Sequence, residues 1–170
     1  MAFVSRRRTR EFLLQSLYGR IFLGSTFRRD IFLSEYFQAG DIWIIDIPFA
    51  DAVEYGILEK QAIIWAIIEQ LAPKFQIETM AIINLLPLYI SLYELLFLTF
   101  DSIPAWVSIN EAIELTKKFS DDSGRLFVNW VLSSCVEKQK INPKFLQEIE
   151  PSKFILFHDI PAYVSNIPSL

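Results

Sequence analysis

The sequence has very few of the residues that build catalytic and metal-binding centres. It contains one cysteine, Cys135, and one histidine, His158, among 170 residues. A single cysteine excludes an intramolecular disulfide framework and a cysteine-rich zinc site, and one histidine makes histidine-based metal clusters and catalytic triads hard to assemble. The nucleophile-elbow, P-loop, dinucleotide-binding and zinc-protease motifs are all missing. We therefore expect no enzymatic activity, no metal and no cofactor.

The remaining candidates for site chemistry have simpler explanations. Asp121 and Asp122, with Glu111 or Glu114, could form an acidic site, but helix capping accounts for the two aspartates and a capping box accounts for Glu111. Cys135 falls at the end of an apolar helical pattern and is predicted to be a small core residue. His158, in a proline-rich tail, is predicted to lie on the surface.

Uninterrupted hydrophobic runs are also scarce, although 52% of the residues are hydrophobic. This composition and the mean hydropathy of +0.32 exclude a disordered chain. The stretch Ile82–Phe100 has the length of a membrane span, yet it contains Asn84, Pro87 and Glu94. A carboxylate near a bilayer centre costs at least ~2.5 kcal/mol, which favours a buried helix. No apolar signal-peptide core follows Arg10, while a mitochondrial transit peptide stays open as an alternative. We expect a soluble cytoplasmic protein.

Charge is distributed very unevenly along the chain. Residues 1–30 carry a net charge of +5, whereas residues 31–170 carry −9. Ser5 is a candidate N-cap that places Arg6–Arg8 in the first turn of a helix, where each cation opposes the macrodipole by roughly 0.3–1 kcal/mol. The same arrangement becomes favourable when an anion such as a phosphate chain binds. The alternative is a solvated terminus without a specific ligand.

Apolar spacing predicts a mainly helical protein. Helices are predicted over Arg6–Leu23, Ala50–Leu71 and Ile77–Thr99, with Pro87 near the start of the third or kinking it. The residues Ile42–Ile47 give the best strand signal, although no partner strand lies nearby.

The second half of the chain contains clearer boundary signals. Ser108–Glu111 fits a capping box that would begin another helix. The turn Ser120–Ser123 leads into a short helix through Leu132. Four of the eight prolines fall within residues 143–170, so the chain from Asn142 onward is predicted to be irregular.

Three sequence blocks resemble the NusB family of transcription antitermination factors. The blocks are Ser5–Glu11 with Leu14–Tyr18, then Ser91–Leu95 with Ile103–Pro104 and Ile109–Phe119, then Phe127–Asn129 with Val131–Leu132. The resemblance implies an all-α fold of two packed helical subdomains with about six to seven helices. Residues 1–135 would form the NusB-like RNA-binding domain, and residues 136–170 a proline-containing C-terminal extension.

The resemblance also implies a function and a set of site residues. Members of this family pair with NusE, a ribosomal protein, and bind the single-stranded boxA element of ribosomal RNA transcripts. They act in a complex with transcribing RNA polymerase and use neither a catalytic group nor a cofactor. The positions implied in RNA contact are Arg6, Arg7, Arg8, Arg10, Lys117, Lys118 and Phe119. Tyr18 and Glu94 match positions on the NusE side.

Four residues depart from the family pattern. Tyr89, Trp106 and Leu126 stand where cations are usual, and Trp130 stands where a glycine is usual. Aromatic side chains can stack on unpaired bases, but they also suit a protein interface. The alternative function is therefore a protein-interaction or rRNA-maturation accessory subunit with weakened RNA binding.

Overall fold

A computed structural model describes residues 3–36 and 42–158, and within them the chain folds into six α-helices without a β-strand. The helices are α1 (Arg6–Leu23), α2 (Arg29–Tyr36), α3 (Ile47–Leu71), α4 (Ile82–Leu96), α5 (Ala105–Phe119) and α6 (Asp122–Ile141). Short 3₁₀ turns lie at Gly24–Thr26, Ile42–Ile44, Ile77–Thr79 and Phe145–Glu148. The predicted all-α class is confirmed.

The first helix has the predicted bounds. The Ser5 hydroxyl accepts a hydrogen bond from the Arg8 amide at 3.2 Å, so Ser5 is the N-cap and Arg6–Arg8 form the first turn. Gly24 ends the helix with a φ of 53°, a left-handed conformation that glycine adopts without steric cost.

The weak strand signal at Ile42–Ile47 does not correspond to a strand in the structure. Ile42–Ile44 form a 3₁₀ turn, and α3 begins at Ile47 behind the N-cap Asp46, whose carboxylate accepts from the Phe49 amide at 3.1 Å. Pro48 lies in the first helical turn, where its missing N–H costs no hydrogen bond. Local capping therefore outweighs the β-propensity of this short isoleucine-rich run, for which the described part of the chain offers no strand to pair with.

The capping-box prediction for Ser108 and Glu111 is also wrong. Helix α5 begins earlier, at Ala105 after Pro104. Ser108 is buried inside the helix, and its hydroxyl donates to the Glu94 carboxylate on α4 at 2.9 Å. The side chains of Ser108 and Glu111 therefore bind residues of other helices and do not cap the backbone of α5.

Helix α4 lies at the centre of the fold, because it packs against α1, α3, α5 and α6. It begins at Ile82, later than predicted, and contains Pro87 inside the helix. Leu88 and Leu92 are fully buried, as expected for an interior helix. None of the helices in the described ranges combines the length and hydropathy that a membrane span requires.

The chain after α6 is irregular, as predicted, but it is packed onto the helices. Helix α6 runs to Ile141, well beyond the short helix expected from the sequence. The Gln61 side chain on α3 accepts from the Phe157 amide at 2.9 Å and donates to the Phe157 carbonyl at 3.0 Å. Phe157 is 1% exposed. Residues 142–158 therefore contribute to the core, while residues 159–170 lie outside the described residues.

Candidate nucleic-acid interface

The start of α1 and the end of α5 meet on one surface. Glu11 joins them, since its carboxylate lies 2.8 Å from the Arg8 guanidinium and 2.8 Å from the Lys118 ammonium. Both cations are nearly half exposed, whereas the Glu11 side chain is 9% exposed beneath them. The fold thus brings together two cationic segments that are 107 residues apart in the sequence.

Arg7 occupies the same surface and is bound by Glu111 of α5. Its guanidinium donates to the two carboxylate oxygens at 2.8 and 3.1 Å, the bidentate geometry that suits a planar fork. This hydrogen-bonded contact raises the pKa of the Arg7 guanidinium. A shallow groove of about 270 Å³ lies between the two helices, lined by Arg7, Glu11, Glu111, Lys117 and Lys118 among others.

Arg6 connects three segments at the adjacent edge of this surface. Its guanidinium donates to Asp46 and to Asp101, each at 2.8 Å, and its central carbon lies 4.0 Å from the centroid of the Phe49 ring. Trp43, three residues before one of these aspartates, is 69% exposed. The arginine is therefore oriented by two carboxylates and an aromatic face.

Lys117 and Phe119 complete the predicted set at the C-terminal end of α5. Lys117 pairs with Glu114 at 2.7 Å, and Phe119 is half-buried against the core with the Lys118 ammonium 5.6 Å from its ring centroid. The following turn is shaped by Asp121, whose carboxylate accepts from the Gly124 amide at 2.8 Å and caps α6. The predicted capping role of Asp121 is confirmed.

Arg10 and Glu94 lie in the interior and bind each other. The Arg10 guanidinium donates to both Glu94 oxygens at 2.7 and 3.0 Å, and the two side chains are 4% and 0% exposed. Neither is presented at the surface, although the family resemblance implies RNA contact for Arg10 and a protein partner for Glu94. Their observed contacts join α1 to α4 and, through Ser108, to α5.

Tyr18 faces solvent on a different part of α1. Its side chain is 42% exposed, and its ring lies 4.5 Å from that of Phe22, which is 60% exposed. Twelve helical residues separate it from Arg6, which is about 18 Å along the axis. The predicted partner-binding residue thus belongs to an apolar patch distinct from the arginines.

The four departures from the family pattern occupy different environments. Tyr89 is fully buried, and burial raises the pKa of its hydroxyl, which has no hydrogen-bond partner among the residues that the structure describes. Trp106 is 73% exposed on the first turn of α5. Leu126 and Trp130 are exposed on α6, where Trp130 lies 6.0 Å from the ring of Phe75.

Sequence reasoning did not find the carboxylates that bind the cationic residues. Every surface cation predicted for RNA contact lies within about 3 Å of a carboxylate; the acidic partners are Glu11, Asp46, Asp101, Glu111 and Glu114. Five cations thus face five anions. For the four carboxylates other than Glu11, the net charge of −9 in residues 31–170 was the available signal, because a strongly cationic segment on a small acidic domain finds carboxylates nearby.

The described residues define a helical protein with a packed interior and a charged face at the junction of α1 and α5. Across residues 3–36 and 42–158, no group of three or more histidine, cysteine, aspartate or glutamate side chains is placed to hold a metal ion. The sequence profile of the NusB family matches residues 7–137. The chain belongs to the NusB family.

Individual relatives agree with this assignment. The transcription antitermination protein NusB of Clostridium perfringens strain SM101 is 34% identical over 81% of this chain and 100% of its own length. Those of Nitratidesulfovibrio vulgaris and Bacillus licheniformis are 36% and 41% identical over 59% and 65% of their lengths. A solved structure of NusB from T. maritima superposes with a TM-score of 0.66 and 25% identity, covering 84% of this chain and 98% of that one.

Proposed function

We propose that this protein is a transcription antitermination factor that binds single-stranded, boxA-like RNA of ribosomal RNA transcripts together with the ribosomal protein NusE. The name carried by its relatives supports the antitermination role. The observation that carries RNA binding is the convergence of Arg7, Arg8 and Lys118 on one face through Glu11 and Glu111. In this role the protein acts in the cytoplasm on the transcribing polymerase complex and needs neither a catalytic group nor a cofactor.

The arginines of the first turn suit phosphate recognition. Arg6, Arg7 and Arg8 are 37%, 53% and 43% exposed, so their guanidinium groups reach solvent. Their position at a helix N-terminus adds the positive end of the macrodipole. Lys117, Lys118 and Phe119 extend the same face toward the C-terminal end of α5.

The interior pair of Arg10 and Glu94 serves this face indirectly. By joining α1 to α4 and α5, it sets the position of the first turn of α1 relative to Lys118. We assign both residues a positioning role in RNA binding. The exposed patch of Tyr18 and Phe22 is the surface that we assign to NusE, since tyrosine and phenylalanine are enriched at protein interfaces.

The test is a titration of boxA-like single-stranded RNA at several salt concentrations, with and without NusE. The triple variant Arg6→Ala/Arg7→Ala/Arg8→Ala is expected to bind more weakly and to show a flatter salt dependence, because fewer phosphates are neutralised. Arg28→Ala is the matched control, since Arg28 is 64% exposed and paired with Asp30. Absence of salt-dependent binding by the wild type under all conditions would contradict the proposal.

The alternative function, a protein-interaction or rRNA-maturation accessory subunit, is favoured by one feature. A groove of about 530 Å³ lies between the end of α3 and α6, and Phe75, Trp130 and Ile141 line it with exposed apolar surface. If this groove carries the main function, Trp130→Ala would abolish partner binding while the arginine variant would not.

A further inference from the structure

The surface cations are already bound by carboxylates within the chain. Arg7 uses its Nε and Nη2 atoms on Glu111, and Arg8 and Lys118 share Glu11. We call Glu11 and Glu111 the shielding carboxylates. Their side chains are 9% and 13% exposed, so they lie beneath cations that are themselves about half exposed.

A carboxylate and a phosphate bind the same edge of a guanidinium group. The carboxylate is planar and the phosphate is tetrahedral, but each anion accepts two parallel N–H hydrogen bonds. A phosphate that approaches Arg7 must displace Glu111 or come to rest beside it. In the first case the internal hydrogen bonds are lost, and in the second case two negative charges lie within a few ångströms of each other.

We propose that Glu11 and Glu111 are internal competitors of RNA phosphates and set the affinity of this face for single-stranded RNA. This inference rests on the proposed RNA-binding function. In the free protein the face is close to neutral, because its five cations pair with five carboxylates. RNA binding is then an exchange of ion pairs, and removing a shielding charge strengthens it.

Glu111→Gln and Glu11→Gln test the proposal because glutamine keeps the shape and can still accept a hydrogen bond. Glu137→Gln is the matched control, since it removes the same charge from an exposed pair with Lys140 on α6. Thermal unfolding verifies that each variant is folded. Binding of boxA-like single-stranded RNA is measured by fluorescence anisotropy between about 50 and 200 mM salt.

Each shielding variant is expected to bind RNA about two- to fivefold more tightly than the control, the range that exposed ion pairs typically contribute. The gain should shrink as salt rises. Affinity equal to that of the control would overturn the proposal. Weaker binding would overturn it as well, because it would mean that the carboxylates orient the cations for RNA instead of competing with it.

Inorganic polyphosphate provides a second probe that separates this inference from the proposed function. If neither wild type nor variants bind RNA, the proposed function fails. Shielding is then supported if Glu111→Gln binds polyphosphate more tightly than Glu137→Gln, and it is refuted if the two variants bind alike.

Discussion

The Arg10 guanidinium and the Glu94 carboxylate form a bidentate ion pair at 2.7 and 3.0 Å between α1 and α4, with almost no exposure to solvent. The two residues are 84 positions apart. Ser108 donates a further hydrogen bond to Glu94 from α5 at 2.9 Å. One buried pair therefore determines how three helices meet directly behind the charged face.

Removing either partner of this pair is expected to destabilise the protein strongly. Arg10→Ala leaves the Glu94 charge buried without its partner, which costs about 3–5 kcal/mol. Denaturant unfolding measures this loss. Arg28→Ala, at a solvent-exposed pair, should leave the free energy of unfolding nearly unchanged. Similar losses in the two variants would show that the buried pair has no special structural role.

Lys118 and Lys140 give a matched test of the charged face. Both are exposed lysines paired with a glutamate, but only Lys118 lies beside the arginines. Lys118→Ala is expected to weaken RNA binding and to reduce the slope of log affinity against log salt by about 1, whereas Lys140→Ala should leave both unchanged. Equal effects of the two substitutions would indicate non-specific attraction by net charge.

Tyr89→Phe is expected to stabilise the protein. Within residues 3–36 and 42–158 the buried Tyr89 hydroxyl has no hydrogen-bond partner, so no described group compensates its desolvation cost. Removing the oxygen should raise the free energy of unfolding by about 1–3 kcal/mol. The denaturation midpoint measures the change, and a clear decrease would reveal a hydrogen bond that forms in solution.

Phe157 tests whether the segment after α6 is part of the core. Phe157→Ala is expected to cost about 3–5 kcal/mol, because it empties a buried site next to Tyr89. Phe154→Ala is the control, since Phe154 is 53% exposed and stacks only on Trp65 among the described rings. If both variants unfold at the wild-type denaturant concentration, the segment contributes little to stability.

The buried thiol of Cys135 is expected to make the folded protein less stable at alkaline pH. Burial raises the pKa of the Cys135 thiol from 9.0 to about 12. The unfolded chain therefore releases the thiol proton first, and stability falls as pH rises above about 9, by up to about 1.4 kcal/mol per pH unit, until the folded thiol ionises as well. Cys135→Ala should show a smaller decline between pH 8 and 10.5 in parallel urea titrations. If the free energy of unfolding declines equally in the wild type and in Cys135→Ala, other titratable groups cause the loss.

Much of the local structure was predictable from the sequence. The bounds of α1 and its N-cap Ser5 follow from apolar spacing and a side-chain oxygen placed before the arginines. Ser108 and Glu111 were misassigned because a capping box and a pair of tertiary contacts have the same sequence pattern. The strand signal at Ile42–Ile47 does not give a strand because β-propensity needs a partner strand, and the sequence offers none nearby.

The sequence by itself determined the helical class, the bounds of α1, the family and the cationic character of the first turn, since these depend on local spacing and residue type. Only the tertiary structure decided what each arginine binds. Arg7 meets Glu111 across 104 residues, and Arg10 is buried on Glu94, because the packing of α1, α4 and α5 brings distant carboxylates to the guanidinium groups. Ion pairs act over a few ångströms in space, whereas helical periodicity acts over a few residues in sequence.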